Sequence, residues 1–492
     1  MRWGQALGIV IVLDALAFVA CDEIDRDPTT RYYIPPPADA EPDVQAFVDA
    51  GDADGAVDDD GGAGDGGADA DAGVEAGPTG PLLATGSGFH PDVAVGSGDH
   101  TCVVAAGSAA TMWCWGANDH GQLGLGTSGD GAFTADVATA TRVTVDETGL
   151  PFEGIEELAL GPWHSCARRQ GVLFCWGQRY SGAQAEPPSA LGPHRTRPRA
   201  IGNLDVARVA AGGPHTCVLK GNGRHVCFGH STFNELGRAV VNDDTCAAPI
   251  FYDYHAVPTH TCSGTLVEAS AIPGASPPKV RAVAAGEVHS CALAGDRVFC
   301  WGTNLGAQLG RPGTQSGELN PQEVVTDPNL LTPLDGVTAV ASGGKHTCAL
   351  RQGAVFCWGT NDAGQLGVAS GVTPLRAFAA AVPQIATVTA IGVAEHVSCA
   401  VRADKTVWCW GADIASLPDG GAIVSTPTPT QIKGPGGAGV LSDVVEVAPG
   451  LRHVCARKSD SSVWCWGKND RGQLGDGTTT DSPYPVRVAG LP

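Results

Sequence analysis

Most cysteines of this chain recur as pairs at a short, nearly constant spacing, which limits the chemistry they can do. Seven pairs have members nine, ten or twelve residues apart. Zinc ligands on one knuckle lie about two to four residues apart, so this spacing favours disulfides across a hairpin over a metal site. A two-residue turn at Gln170-Gly171, for example, places Cys166 directly opposite Cys175. The predicted bridges join Cys102 to Cys114, Cys166 to Cys175, Cys217 to Cys227, Cys291 to Cys300, Cys348 to Cys357, Cys399 to Cys409 and Cys455 to Cys465.

The total of 17 cysteines is odd, so at least one has a different role. Cys246 and Cys262 lie together in a long insertion and are predicted to form an eighth bridge. Cys21 then remains, directly after an apolar stretch at 7–20 that is too short to span a bilayer. This arrangement resembles a bacterial lipoprotein signal, in which the cysteine is lipidated after cleavage. The alternative is an ordinary cleaved signal that leaves Cys21 as a spare thiol.

The N-terminal region therefore predicts export. We expect residues 1–20 to be a signal peptide of the lipoprotein type. We expect the mature protein to be secreted to the cell envelope, with a lipid anchor as its sole attachment to the membrane. Disulfides persist in such oxidising compartments and are rare in the cytosol, so the cysteine pairs agree with the signal.

Residues 21–80 are predicted to be a disordered linker rich in Ala, Gly and Asp. Positions 32–80 contain thirteen acidic residues and no lysine or arginine. Such a segment has too little apolar surface to offset its ordering entropy, so a solvated spacer is expected. Aspartate runs such as 58–60 do not match the calcium-loop pattern, which disfavours a calcium site. The formal net charge of −22 repels phosphate backbones, so no nucleic-acid partner is expected.

A single pattern recurs seven times after residue 90. Each unit has a glycine-rich stretch, then His, a small residue and Cys, then a hairpin ending in Cys, an aromatic residue and Gly. Successive opening cysteines lie 51 to 74 residues apart, which is enough for a four-stranded blade. Residues 81–492 are thus predicted to form an all-β, seven-bladed β-propeller, with an open solenoid as the alternative.

The aromatic residues and histidines that recur in register have a structural and a functional interpretation. The aromatic rings can pack between blades or present a stacking platform to a ligand; the histidines can bond backbone between blades or hold a metal in a central channel. Repetition in every unit favours the structural roles, so no metal or cofactor is expected. The aromatic positions are Trp115, Trp176, Phe228, Trp301, Trp358, Trp410 and Trp466. The histidine positions are His100, His164, His215, His289, His346, His396 and His453.

The fifth unit reads Gly343-Gly344-Lys345-His346-Thr347-Cys348, then Trp358-Gly359, then Gly364-Gln365-Leu366-Gly367. These residues resemble the regulator of chromosome condensation repeat family. The resemblance implies a seven-bladed propeller. It also implies that the C-terminal strand near 483–488 completes the blade begun near 93–95 and so clasps the ring shut. The best-known relatives are exchange factors for a small GTPase, but the signal and cysteines argue against that compartment here.

No metalloprotease, nucleophile-elbow or phosphate-loop motif occurs, and we expect the protein not to be an enzyme. The predicted function is a non-catalytic, monomeric scaffold that binds an unknown protein partner outside the cell or at the envelope. The alternatives are an envelope polysaccharide hydrolase or lyase and, by fold analogy, a guanine-nucleotide exchange activity. The insertion at 238–278 is the candidate binding loop, with Phe251, Tyr252, Tyr254 and His255; the alternative is a loop merely packed on the blade edge.

Overall fold

The computed structural model describes residues 93–95, 98–105, 109–129, 135–179, 183–185, 194–237, 244–246, 250–252, 255–257, 260–268, 272, 280–313, 317–371, 373–416 and 423–492. The predicted signal peptide, Cys21, the linker 21–80 and Tyr254 lie outside the described residues. For Phe251, Tyr252 and His255 the structure describes the backbone. In the described part of the chain, no helix is both long and apolar enough to cross a membrane.

The described residues form seven antiparallel blade sheets that follow one another along the chain, and two further two-stranded pairs. Blade 1 comprises β1 (Val93–Val95), β2 (His100–Ala105), β3 (Thr111–Gly116) and β4 (Val137–Arg142). Blade 2 comprises β5 (Glu157–Leu160), β6 (His164–Arg169), β7 (Val172–Gly177) and β8 (Arg195–Asn203). Blade 3 comprises β9 (Val206–Ala211), β10 (His215–Lys220), β11 (His225–His230), β12 (Asp244–Cys246) and β15 (His260–Glu268), with the separate pair β13 (Ile250–Tyr252) and β14 (His255–Val257) between the last two.

The remaining blades repeat this order. Blade 4 comprises β16 (Val280–Ala285), β17 (His289–Ala294), β18 (Arg297–Gly302) and β19 (Glu318–Glu323), followed by the pair β20 (Val325–Asp327) and β21 (Thr332–Pro333). Blade 5 comprises β22 (Val337–Ser342), β23 (His346–Arg351), β24 (Ala354–Thr360) and β25 (Leu375–Ala381). Blade 6 comprises β26 (Val388–Val393), β27 (Val397–Arg402), β28 (Val407–Ser416) and β29 (Ile423–Gln431). Blade 7 comprises β30 (Val444–Pro449), β31 (His453–Lys458), β32 (Val463–Gly467) and β33 (Ser482–Arg487). The predicted all-β, seven-bladed propeller is confirmed.

The hairpin between the second and third strands positions the paired cysteines. In blade 2 the turn residues Gln170 and Gly171 have φ of 50° and 74°, the left-handed conformation that a two-residue turn of this kind needs. Cys166 therefore faces Cys175 in register, with 4.1 Å between the Cα atoms. All seven cysteine pairs predicted for the blades are disulfide-bonded in the structure.

The outermost strand of each blade lies at a sheet edge, and proline occurs on several of these strands. Pro198, Pro321, Pro427 and Pro485 all lie within fourth strands. Proline has no N–H to offer a further strand, so it discourages edge-to-edge association between molecules.

The ring closes without a shared strand, and the predicted clasp is wrong. β33 pairs with β32 of its own blade, and β1 pairs with β2 of blade 1. The C-terminal segment thus provides the fourth strand that blade 7 needs, and Val93–Val95 complete blade 1. Blades 7 and 1 instead meet through backbone bonds, from Ala140 N to Ala489 O and from Gly477 N to Ala138 O. These contacts exclude the open solenoid.

Candidate functional site

A chain of hydrogen bonds between neighbouring blades uses six of the repeated histidines. Each imidazole Nε2 lies 2.8 to 3.0 Å from a serine or threonine hydroxyl of the following blade. The pairs are His100 with Ser165, His164 with Thr216, His215 with Ser290, His289 with Thr347, His346 with Ser398 and His453 with Thr101. The prediction that these histidines link blades holds, but the partner is a side-chain hydroxyl, not backbone.

The hydroxyl groups continue the chain to the turn that follows the third strand. Ser165 donates to the carbonyl of Gln122, which also accepts a hydrogen bond from the Trp176 indole N–H. Ser290 and Ser398 donate to the corresponding turn carbonyls of their preceding blades. Thr216 likewise donates to the carbonyl of Ala183. Because the hydroxyl proton of these four residues is used in this bond, each hydroxyl must accept from its histidine, and Nε2 of that histidine carries the imidazole proton.

Burial keeps these imidazoles neutral. Burial lowers the pKa of His100, His164, His289 and His346 to about 3, and that of His215 and His453 to about 4, with nearby charged groups as secondary causes. Among the described residues, no group of three or more His, Cys, Asp or Glu side chains is arranged to hold a metal ion. The repeated histidines therefore maintain the ring and leave no imidazole of this set for acid–base chemistry near neutral pH.

Blade 6 departs from this arrangement, and the assignment of His396 to the repeated position is wrong. Val397 pairs with Gly411 in the register that histidine occupies elsewhere. The hydroxyl position of blade 7 is also changed, to Val454, and both valines are buried. The extra residue before Cys399 shifts His396 out of register, onto the loop, where its side chain lies near Asp362 and Glu395.

The repeated aromatic residues pack between blades as predicted. All seven are at most 1% exposed, so none offers a stacking platform. Trp176, for example, packs with Leu123 of blade 1 and with Phe152. The indole N–H groups of five tryptophans bond turn carbonyls of the preceding blade.

Two arginines of blade 7 form the ionic contacts that close the ring. Arg452 bonds Asp99 of blade 1 at 2.7 Å, and Arg471 bonds Asp136 and lies 3.7 Å from Asp119. Burial alone raises the pKa of Asp119, but His120 and Arg471 outweigh it, so the net shift is strongly downward. A carboxylate held ionised in this way cannot serve as a general acid.

Arg168 and Arg169, which are adjacent in the sequence, are both engaged within blade 2. Arg168 pairs with Glu156 and Glu157, and Arg169 stacks over the Phe174 ring at 4.8 Å. Burial raises the pKa of Glu157 to about 7, although Arg208 and Arg168 oppose the shift. That carboxyl is buried, and Arg168 engages both it and the neighbouring Glu156, which leaves neither carboxylate free to act as the nucleophile or base of a glycosidase.

The insertion of blade 3 lies on a definable face of the ring. Strands alternate in direction, so the connections between first and second strands and between third and fourth strands share one face, here named the turn face. The insertion joins the third strand β11 to the fourth strand β15 and therefore emerges on the turn face. Its pair β13–β14 aligns Tyr252 with His255 and Phe251 with Ala256.

The base of this insertion is held by a buried pair that sequence reasoning missed. His230 Nδ1 lies 2.5 Å from Glu235 Oε1, and neither side chain is exposed. Burial raises the pKa of Glu235, but His230 outweighs it and the net shift is downward. His230 also pairs in register with Cys262, which is disulfide-bonded, and Cys246 lies diagonally across on β12. The sequence feature that could have revealed this pair is the turn Asn234-Glu235-Leu236-Gly237, in which Glu replaces the Gln found in the Gly-Gln-Leu-Gly turns of other blades.

Comparison with known proteins agrees with the fold. Two models of the regulator of chromosome condensation (RCC1) repeat match residues 296–350 and 460–492, and 337–365 and 444–473. The chain is 27% identical to the mouse (Mus musculus) secretion-regulating guanine nucleotide exchange factor over 78% of its length and 80% of that protein. It is 26% identical to human (Homo sapiens) E3 ubiquitin-protein ligase HERC2 over 79% of its length, but spans 7% of that protein.

A solved structure extends the likeness to three dimensions. The Saccharomyces cerevisiae protein Prp20p matches with a TM-score of 0.60 and 22% identity, over 79% of this chain and 87% of that one. Fold and site together define a closed β-propeller whose repeated polar residues join its blades. More narrowly, the chain is a seven-bladed propeller in which parts of blades 4, 5 and 7 match models of the RCC1 repeat.

Proposed function

We propose that this protein is a non-catalytic scaffold that binds a protein partner through the turn face of its propeller, outside the cell or at the envelope. The observation that carries the proposal is the chain of interblade bonds. The repeated histidines, which in the sequence could suggest a reactive site, instead form hydrogen bonds that hold neighbouring blades together. The connecting loops differ in length between blades, and binding residues of rigid scaffolds concentrate on such loops.

The insertion of blade 3 is the proposed contact element. It extends a rigid blade by three short strands, β12 to β14, and its base is fixed by the His230–Glu235 pair and by a disulfide at Cys262. An isolated two-stranded ribbon such as β13–β14 is marginal in water, so a partner surface would stabilise it. Phe251 and Tyr252 are residue types enriched at protein interfaces.

Similar proteins support protein binding by this fold in general, without indicating a particular partner. The structure of Prp20p is described together with its binding to Gsp1p and histones, which shows that a propeller of this fold can bind proteins. The exchange activity of a similar protein is not favoured over scaffolding here, because the predicted signal and disulfides point to export. A hydrolase or lyase is disfavoured because the carboxylates of Asp99, Asp119, Asp136 and Asp470 at the turn face are held by Arg452 and Arg471.

The test begins with the full chain expressed with its own signal and purified from envelope fractions with bound proteins. Residues 247–258 are then replaced by a short Gly-Ser turn, which keeps Cys246 and Cys262. The matched control is Leu330→Ser with Leu331→Ser, in the β20–β21 turn on the opposite face, where both leucines are exposed.

The proposal predicts that a partner bound by the full chain is lost from the shortened variant and kept by the control. Retention by the shortened variant would remove the insertion from the interface. Release of envelope saccharides or of guanine nucleotide by the pure chain would replace the scaffold with one of the two alternative activities.

A further inference from the structure

Three partly exposed arginines lie at alternate positions on β8, the outer strand of blade 2. They are Arg195, Arg197 and Arg199. Alternate residues of a strand point to the same side of the sheet. Arg195 and Arg199 agree with this rule, because both contact the carboxylate of Glu147, the second at 3.5 Å. Arg195 pairs in register with Gly177, the last residue of β7, so the row begins at the turn face.

Blade 1 occupies the backbone edge of β8 beside this row. Gly126 N donates to the carbonyl of Thr196 at 2.7 Å, and Glu147 N donates to the carbonyl of Pro198 at 2.8 Å. Pro198 itself has no N–H to offer. With these groups used or missing, no further strand can pair along this stretch. A partner that binds here is therefore recognised through side chains.

The middle arginine of the row carries a charge that the folded chain does not balance. Arg197 has no hydrogen bond or ion pair with any described residue. Its guanidinium lies against Gly126, where a side-chain carbon would come within 2.5 Å of Nη2. The chain has a formal net charge of −22, so three arginines within five residues are a local concentration of positive charge. An anion from outside the chain would reduce the repulsion between them.

The contact with Glu147 shows which anionic group suits these arginines. A single carboxylate reaches both Arg195 and Arg199. The guanidinium fork matches a carboxylate, and such charge-assisted hydrogen bonds are among the strong ones. Alternate residues of a strand repeat about 6.6–6.8 Å apart. An extended peptide with an acidic residue at every second position repeats its carboxylates at that same distance.

We propose that Arg195, Arg197 and Arg199 bind an extended, acidic protein segment whose Asp or Glu residues occupy alternate positions. Arg197 is the central contact, and Glu147 competes with the segment for the two outer arginines. The proposal rests on the proposed scaffold function and specifies the chemistry of one part of the partner.

The experiment measures the binding of two labelled twelve-residue peptides to the full chain by fluorescence polarisation. One peptide alternates Glu and Thr, and the other has the same composition with all its Glu residues in one block. The alternating peptide should bind at least fivefold more tightly, because it alone matches the spacing of the arginines. Its binding should weaken as salt is added, since exposed charges are screened.

Substitutions test the two roles separately. Arg197→Gln should weaken binding of the alternating peptide at least tenfold and leave the melting temperature unchanged, because Arg197 has no partner in the folded chain. Glu147→Gln should strengthen binding, because it removes the competing carboxylate. The matched control is Arg297→Gln, which removes an exposed arginine that pairs with Glu323 in blade 4 and should leave binding unchanged.

Equal affinity for the two peptides would overturn the proposal, and so would equal binding by Arg197→Gln and the original chain. A Glu147→Gln chain that binds no more tightly would contradict the competition. Displacement of the peptide by inorganic phosphate, at concentrations at which acetate has no effect, would overturn the proposal in favour of a phosphate ligand. An envelope partner that the original chain and Arg197→Gln bind equally would reject this surface and leave the scaffold function intact.

Discussion

His346 Nε2 lies 2.9 Å from the hydroxyl of Ser398 in the next blade, whereas the following junction places Val397 and Val454 at the equivalent positions. The two substitutions occur together. Elsewhere the histidine and the hydroxyl are each other's partners across the junction, so a buried polar group on one side alone would lack its partner. Both positions are apolar here.

The apolar junction predicts the effect of restoring one polar group. Val454→Thr places a hydroxyl in a buried apolar contact without the histidine that serves it elsewhere. We expect it to lower the free energy of unfolding by about 1–3 kcal/mol, measured by urea denaturation under oxidising conditions. Val454→Ala is the control for lost volume. A Thr variant as stable as the original chain would show that the junction holds an acceptor after all.

The buried histidines predict acid lability. Their pKa values are lowered in the folded state, so the unfolded chain binds more protons and stability falls as pH drops from about 6.5 toward about 3. Each neutral histidine contributes a slope of about 1.4 kcal/mol per pH unit within that window. The measurement is urea denaturation of the original chain and of His289→Asn between pH 7 and pH 4. The stability difference between them should shrink as pH falls. A stability difference that does not change with pH would contradict the conclusion that these buried histidines are neutral in the folded state.

The ionic ring closure predicts a large penalty for removing one buried arginine. Arg471→Met leaves Asp119 and Asp136 without their cation, and we expect a loss of about 3–5 kcal/mol in the free energy of unfolding. Arg297→Met is the matched control, because Arg297 pairs with Glu323 in an exposed setting, and its loss should be below about 1 kcal/mol. Equal effects of the two substitutions would show that the blade 7 to blade 1 contact does not depend on these charges.

The disulfides predict a moderate, local stabilisation. Replacing Cys348 and Cys357 together by alanine opens a nine-residue separation, and the chain-entropy model gives about 2.5–3 kcal/mol as an upper figure. Thermal unfolding of this variant, with and without reductant, measures the contribution. If reductant alone left the melting temperature of the original chain unchanged, the bridges would not be stabilising the ring.

The repeat made most of the fold predictable. The fixed spacing of the paired cysteines and the Gln170-Gly171 turn predicted two antiparallel strands with the cysteines facing each other. The seven copies of the repeat predicted seven blades. Ring closure was not predictable, because Asp99 and Arg452 lie 353 residues apart and no local pattern links them. His396 was misplaced because one inserted residue moves a side chain out of register without changing the motif's appearance.

Cross-linking of the chain on intact cells offers the most direct test of binding through the turn face. Lys345 and Lys468 lie on turn-face connections, whereas Lys220, Lys405 and Lys458 lie at the hairpins of the opposite face. An amine-reactive cross-linker applied to intact cells, followed by mass spectrometry of the captured chain, records which lysines a partner approaches. We predict intermolecular links through Lys345 or Lys468. Links confined to Lys220, Lys405 and Lys458, or an exported chain that forms none, would contradict the proposed scaffold.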